Sequence, residues 1–228
     1  MTTSLNKDIV PFLNELSENN DRDWFTENKP RFEENVQGSM LEFLEALEPK
    51  LRKISEHILV VPKKSGGSLM RIYRDTRFGK DKSPYHTYVA AQLRHELGKK
   101  TSAPGYYLRV QPDGVLLGAG VWQPEGPNLK KIRDAIVDDS ATWKRARDNA
   151  KFKKLYGPLA GESLKRPPRG FDAEHPFVED LKRKDFVAFR ELSASAASRK
   201  DFLDKVVETY TAAKPMMKFL CEAMELEF

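Results

Sequence analysis

The chain has 228 residues and a mass of 26.1 kDa, a length that suits one globular domain with a full hydrophobic core. Its 39 Lys and Arg residues against 34 Asp and Glu give a net charge of +5, and an aromatic content of 10% argues against intrinsic disorder. A single cysteine, Cys221, excludes an internal disulfide, and the lack of a bilayer-length apolar run or a signal-peptide core leads us to expect a cytoplasmic protein without a membrane partner.

Helical periodicity dominates the N-terminal part, from about residue 5 to residue 56. One apolar stripe predicts the first helix, and its members are Ile9, Phe12, Leu13 and Leu16. Asp21 or Asp23 is expected to cap a short second helix, with Trp24 and Phe25 in the core. A third helix is predicted to have Pro30 in its first turn, where a missing N–H costs nothing.

The apolar period changes to two between about residues 58 and 122, which predicts a sheet. We expect a short strand at 58–61 and extended segments at 69–78 and 87–97. The clearest feature is a hairpin with strands at 106–111 and 115–122, joined by Pro112-Asp113-Gly114. Proline presets φ, aspartate bonds its own backbone and glycine accepts a positive φ, so this tripeptide favours a tight turn.

The period returns to that of helices in the C-terminal part, about 128–226, which is predicted to be mostly helical with a short strand at 186–190. Helices before and after a run of hairpin-linked strands indicate the α+β class. We therefore predict a single domain over residues 1–228, with a central antiparallel, meander-like sheet and N-terminal and C-terminal helices packed on it.

The segment 71–87 concentrates five cations, two carboxylates, two tyrosines and one histidine in seventeen positions. If it is a strand, Arg71, Tyr73, Asp75 and Arg77 share one face, with Asp75 between two guanidinium groups. A carboxylate in that position orients both groups and leaves surplus positive charge for an anion. The alternative is that the Arg–Asp cluster is purely structural, an ion-pair network that holds the fold.

We therefore expect a basic, arginine-rich site for a small phosphorylated or carboxylated ligand. Whether the protein is an enzyme stays open. Asp75 or Asp81 as a base, and Tyr85 or His86 as an acid, are weak catalytic candidates that rest on residue type alone. The predicted ligand-binding residues are Arg71, Arg74, Arg77, Lys82 and Tyr85, joined by Lys165 and Arg169 from a stiff, proline-rich second arm.

A second hypothesis places a nucleic-acid or protein partner on a basic helix at 143–154, although charge runs of this kind are more often solvated faces. The oligomeric state is left open. The scattered histidines have no ligand-like spacing, and the chain has no phosphate-binding glycine loop, so neither a metal nor a cofactor is expected. Gly118-Ala119-Gly120 within a strand indicates a bulge, an aromatic cover or close approach of a ligand.

Several stretches together resemble the signature of a widespread family, domain of unknown function 2461. The longest is Arg-Ile-Tyr-Arg-Asp-Thr-Arg-Phe at 71–78, continued by Asp-Lys-Ser-Pro-Tyr at 81–85. The others lie at 19–25, 105–107, 118–120 and 164–171, so that the resemblance covers nearly the whole chain; His86 departs from it, since the family usually has Lys there. The resemblance implies an α+β cytoplasmic protein of bacteria and fungi, and it implies no established activity from which catalytic residues could be carried over.

Overall fold

The computed structural model describes residues 3–77, 80–98 and 102–228. Its strands are β1 (Ile58–Leu59), β2 (Val89–His95), β3 (Gly105–Gln111), β4 (Gly114–Val121) and β5 (Phe186–Leu192). Its α-helices are α1 (Ile9–Glu18), α2 (Arg22–Arg31), α3 (Ser39–Arg52), α4 (Gly126–Asp138), α5 (Ser140–Arg147), α6 (Ala150–Tyr156), α7 (Val178–Leu181) and α8 (Phe202–Ala223). No helix in these ranges is long and apolar enough to cross a bilayer.

The five strands form one antiparallel meander in the order β1-β2-β3-β4-β5, which confirms the predicted α+β class. The sheet extends beyond its predicted bounds of 58–122, because β5 comes from the mostly helical C-terminal part and pairs along β4. The β3–β4 hairpin is confirmed, with one difference. Gln111 pairs with Gly114, so Pro112 and Asp113 make the two-residue connection, and Gly114 begins β4 without the expected positive φ.

The N-terminal helices follow the predicted pattern with one difference. The four stripe residues of α1 are fully buried, and the Asp21 carboxylate caps α2 by accepting from the backbone N–H groups of Asp23 and Trp24, both at 2.9 Å. Pro30 lies inside α2 and does not begin a new helix. A π-helical stretch, Phe32–Gly38, links α2 to α3 without a break. Proline cannot donate to the carbonyl four residues earlier, and the chain widens directly after it.

The sheet has an inner face that packs on helices and an outer face on which, among the described residues, a large hollow lies open. Tyr106, Leu108 and Val110 point inward and are buried. The ring of Tyr106 stacks on Tyr210 of α8 at 4.4 Å between centroids, and its hydroxyl donates to the Tyr210 carbonyl at 3.1 Å. The Tyr210 hydroxyl in turn donates to the Tyr107 carbonyl at 2.9 Å. These contacts hold α8 against β3 on the inner side.

An ion-pair network joins α2 to the start of α1. The guanidinium of Arg31 donates to Asp8 through Nε and Nη2, both at 2.7 Å, and to Glu15 through Nη1 at 2.6 Å. It also lies 5.4 Å from the centroid of the Phe12 ring. Hydrogen bonds from Arg31 hold the pKa of Asp8 and the pKa of Glu15 below their usual ranges.

Replacing this arginine should expose the contribution of the network. We expect Arg31→Met to lower the free energy of unfolding by about 1–2 kcal/mol at pH 7, since the groups are half-exposed and partly screened. A lowered carboxylate pKa stabilises the fold above the unfolded value of about 4, and this stabilisation is lost as pH falls through the folded value. Urea unfolding at pH 7 and pH 3 should therefore show the difference from wild type shrinking in acid.

The matched control is Lys29→Met, because Lys29 meets Glu33 at 3.8 Å with both side chains about half exposed. It should change stability little at either pH. A difference for Arg31→Met that is the same at pH 3 as at pH 7 would contradict the assignment of these pKa values to Arg31.

Candidate functional site

The segment 71–87 lies against the outer edge of β2. Met70 N–H donates to the Ala90 carbonyl at 2.9 Å, and His86 N–H donates to the Ile72 carbonyl at 2.8 Å. The segment 69–78, predicted to be extended, does not form a continuous strand: over its described residues the backbone forms only isolated bridges, at Leu69 and Tyr73. Phe78 lies outside the described residues. The predicted alternation nevertheless holds, as Ile72 is buried and four residues are exposed: Arg71, Tyr73, Asp75 and Arg77.

Tyr85 anchors this segment to the N-terminal helices. The Asn20 amide donates to the Tyr85 carbonyl at 3.0 Å and accepts from the Tyr85 N–H at 3.1 Å. The Tyr85 ring stacks on Phe25 at 4.1 Å between centroids and is buried, and burial raises the pKa of the Tyr85 phenol. Its side chain therefore packs against α2, and two of the stretches that carry the family resemblance meet here.

Ion pairs inside the segment occupy much of its positive charge. Arg74 pairs with Asp81, and Arg77 pairs with Asp75 at 2.7 Å. Lys82 donates from Nζ to the Thr76 carbonyl at 2.8 Å. Arg71 is different, because it forms no ion pair with any residue that the structure describes. The alternative of a structural cluster thus gains support for Arg74 and Arg77, whereas Arg71 is left facing solvent.

The four catalytic candidates are not assembled into an acid–base pair. Hydrogen bonds from Ser83 hold the pKa of Asp81 far below its usual range, and those from Arg77 lower the pKa of Asp75. Burial, reinforced by Arg74 and Arg71, lowers the pKa of His86. Within the described parts of the chain, no hydrogen bond joins either carboxylate to Tyr85 or to His86.

The second arm lies at the opposite edge of the sheet. Its loop follows Ala160, which bridges to Val187 on β5, whereas Leu69 bridges to Ala91 on β2. From Leu69 to Ala160 there are five strand-to-strand steps across the sheet, or about 24 Å at a spacing of roughly 4.8 Å. Lys165 and Arg169 are exposed on that far side and are not brought to the segment 71–87.

The basic run at 143–154 is not one helix, so that prediction was wrong. Asp148 and Asn149 break it into α5 and α6, and the Asn149 side chain caps α6 by accepting from the N–H groups of residues 151 and 152. Arg147 is bound by Asp148 and Asp180, and Lys153 lies 3.0 Å from Asp148. Part of the charge is thus neutralised internally, which weakens the case for a continuous basic surface.

A large hollow lies on the outer face of the sheet and has a volume of about 530 Å³. A smaller hollow of about 100 Å³ shares Met70 with it and reaches the segment 71–87. Side chains that line the large hollow include Gln92, Arg94, Tyr107, Arg109, Trp122 and Phe189, and those of the small hollow include Lys64, Arg71, Tyr73 and Tyr88. The small hollow lies at the β2 edge of the sheet, where Phe32 and Gln37 of the π-helical stretch also line it. We refer to the two adjoining hollows together as the outer-face hollows.

The charged side chains that line the outer-face hollows, among the described residues, are all basic. Of the described residues that line them, four are basic and none is acidic, the basic ones being Lys64, Arg71, Arg94 and Arg109. Glu191 is also on the outer face, in register with Leu116, but it is exposed and lines neither hollow. An anion that enters would meet cations without a competing carboxylate.

Arg109 is the most enclosed of these cations. Its Nε is buried and has no hydrogen-bond partner among the described residues, and its Cζ lies 5.4 Å from the centroid of the Tyr88 ring. Tyr88 in turn lies 4.7 Å from the His86 ring, which connects the hollow to the segment 71–87. Burial raises the pKa of the Tyr107 phenol, and a hydrogen bond with Arg109 opposes that rise. Arg94 donates to the Gln92 amide oxygen at 2.9 Å and forms no ion pair with an acid that the structure describes.

Comparison with known proteins places the chain in a family. The family model described as Conserved hypothetical protein (DUF2461) matches residues 8–219, nearly the whole chain. The protein belongs to the DUF2461 family. No match was found among curated proteins or among solved structures.

The glycines of this DUF2461 protein shape the floor of the large hollow. A Cβ on Gly118 would come within 3.0 Å of the Phe189 ring, so an aromatic ring covers this glycine, one of the alternatives predicted. Gly105 and Gly120 are cross-strand partners in the next row of the outer face. Between the Phe189 row and Trp122 the floor is therefore bare backbone.

Sequence reasoning missed Arg109, Tyr107 and Trp122 as site residues. A signal was present, because alternation in the predicted hairpin sets Tyr107 and Arg109 opposite the apolar residues of β3. Alternation shows which side chains share the outer face, but it does not show whether helices cover that face. Whether the face is covered depends on where the helices pack in the folded protein.

Proposed function

We propose that this DUF2461 protein binds a small anionic ligand, phosphorylated or carboxylated, in the outer-face hollows. The observation that carries the proposal is their lining, with four basic side chains and no carboxylate among the described residues. A volume of about 530 Å³ lies within the range of small-molecule sites. Whether the bound molecule also reacts is a separate matter, since no acid–base pair is assembled around it.

Arg109 is the principal anion ligand in this proposal. A partly buried guanidinium without a carboxylate partner is costly to desolvate, and a bound anion would supply the missing charge. The planar fork of arginine suits the paired oxygens of phosphate or carboxylate. Arg109 lines the large hollow, and its buried Nε has no hydrogen-bond partner among the described residues, so its guanidinium is not fully satisfied within the protein.

Arg71, one of the predicted ligand-binding residues, contributes from the small hollow in this proposal. In this proposal Arg74 and Arg77 serve by holding the segment in place through Asp81 and Asp75. Tyr85 serves in the same way by docking the segment on α2. The proposed site therefore keeps Arg71 from the predicted set and adds residues of the sheet.

The test is a thermal-shift and calorimetric screen with pyrophosphate, sugar phosphates, nucleotides and dicarboxylates. We expect at least one anion to stabilise the wild type, with an affinity that falls as salt rises. Arg109→Met should weaken that binding about 10- to 100-fold, the size of a lost charge-assisted hydrogen bond. Methionine keeps the length and apolar character of the arginine stem.

The matched control is Arg199→Met, since Arg199 pairs with Asp201 at the surface, away from the outer-face hollows. It should bind as the wild type does. The proposal is abandoned if none of the anions binds, or if Arg109→Met and Arg199→Met bind equally well.

A further inference from the structure

Trp122 is the most exposed large apolar side chain in the described parts of the protein, with 55% of its surface accessible. The fully buried Trp143 shows that this fold has room for an enclosed indole elsewhere. Trp122 follows the last residue of β4 and lines the large hollow, with its ring 6.4 Å from that of Phe189. A large aromatic side chain held at the rim of a hollow is typical of a stacking surface.

The floor beside Trp122 is flat. Gly105 and Gly120 pair across β3 and β4, so that no side chain rises between Arg94 on one side and Val187 on the other. The gap spans two strand positions, or about 10 Å. It has the width of an aromatic ring system, and the exposed indole borders it.

Two arginines border this flat area at different positions along the strands. Arg94 lies in the same cross-strand row as Gly105 and Gly120. Arg109 lies four residues along β3 from Gly105, about 13 Å away at the backbone, with Tyr107 between them. Neither arginine has an acid partner among the residues that the structure describes. Their separation, roughly the length of a nucleotide, matches a ligand that carries more than one negative charge.

We infer that the ligand is a nucleotide, with its base stacked on Trp122 over the glycine floor and its phosphate groups bound by Arg94 and Arg109. The inference rests on the proposed function and narrows it to one chemical class. A free nucleotide and a nucleotide within a single strand share this chemistry. Aromatic stacking platforms beside basic side chains bind both, with little dependence on base identity.

The experiment uses the full chain and follows tryptophan fluorescence and calorimetry with five probes. These are ATP, AMP, adenosine, pyrophosphate and an eight-residue oligothymidylate. We expect ATP to bind more tightly than either adenosine or pyrophosphate and to quench the exposed indole. Trp122→Leu should remove the quenching and weaken ATP binding about 10-fold, as for a lost base stack, while pyrophosphate binding stays unchanged.

Trp122→Phe serves as the conservative variant, because it keeps an aromatic ring and should retain most of the affinity for ATP. Since Trp122 is exposed, neither substitution should change the melting temperature, which separates loss of binding from loss of fold. If the protein binds the oligothymidylate more tightly than ATP, its ligand is single-stranded nucleic acid. If it binds ATP more tightly, its ligand is a free nucleotide.

The outcomes also separate this inference from the proposed function. If pyrophosphate binds in an Arg109-dependent way but ATP is bound no more tightly and Trp122→Leu has no effect, the nucleotide inference is overturned and anion binding stands. Preferential binding of a non-nucleotide aromatic acid, such as benzenetricarboxylate, over every nucleotide would also overturn it. Failure of all anions to bind overturns both.

Discussion

Asp180→Ala should cost about 3–5 kcal/mol of stability, the largest effect that we expect from a single charge removal in this protein. Asp180 of α7 is 3% exposed and connects α7 to two residues of α5 and to Arg183, just after α7. Its carboxylate accepts from the indole Nε1 of Trp143 at 2.8 Å, from Arg147 Nη1 at 2.5 Å and from Arg183 Nε at 3.2 Å. Without it, the two guanidinium groups lose a shared counter-charge and the buried indole N–H loses its acceptor, and each loss carries a desolvation cost.

Chemical denaturation at neutral pH, followed by circular dichroism, measures the effect. Asp201→Ala is the control, because the Asp201 carboxylate also bridges two cations, Arg199 and Lys205, but does so at the exposed surface. Its effect should be small. Asp180→Asn should fall between the alanine variant and the wild type, since the amide oxygen still accepts a hydrogen bond. Equal stability of the two alanine variants would show that burial of Asp180 contributes nothing.

Gly120→Ala should destabilise the protein by about 3 kcal/mol or more, and it should also disturb the large hollow. Gly120 has a φ of +127°, which disfavours any side chain. A Cβ built there would lie 2.0 Å from the Phe186 carbonyl oxygen and 2.8 Å from the Val187 Cα, both backbone atoms of β5. Because backbone cannot rotate aside as a side chain can, β5 would have to separate from β4.

Gly118→Ala is the matched comparison, two residues away on the same strand and the same face. There the added Cβ meets the ring of Phe189 at 3.0 Å, and that ring can tilt. We expect a loss of about 1 kcal/mol or less, together with altered binding because Phe189 lines the hollow. Thermal melts should show a lower melting temperature for Gly120→Ala than for Gly118→Ala. Similar melting temperatures would contradict the role assigned to the backbone of β5.

The proposed site differs from the predicted one in a way that the contacts explain. The sequence placed every cation of the segment 71–77 in one cluster, and local geometry then paired Arg77 with Asp75 and Arg74 with Asp81. Both pairs join residues close in the chain, and such contacts form with little loss of chain entropy. Among the described residues that line the hollows, Lys64, Arg71, Arg94 and Arg109 form no ion pair, and they come from separate parts of the chain.

Several features of this protein were determined by its sequence alone. The stripe of α1, the Asp21 cap and the hairpin around Pro112 and Asp113 all follow from interactions within a few residues. The family was also recognisable from short stretches that turn out to meet in space, as Asn20 and Tyr85 do. Local periodicity and turn chemistry act over distances that a sequence displays directly.

Only the tertiary structure decided which faces stay open and which charges stay unpaired. The meander order sets Arg169 at the far edge of the sheet from Arg71, and the packing of α8 on the inner face leaves Tyr107, Arg109 and Trp122 on the outer one. These outcomes depend on strand register and on helix packing between residues far apart in the chain. Such contacts are selected by the burial of the whole core, which no single stretch of sequence encodes.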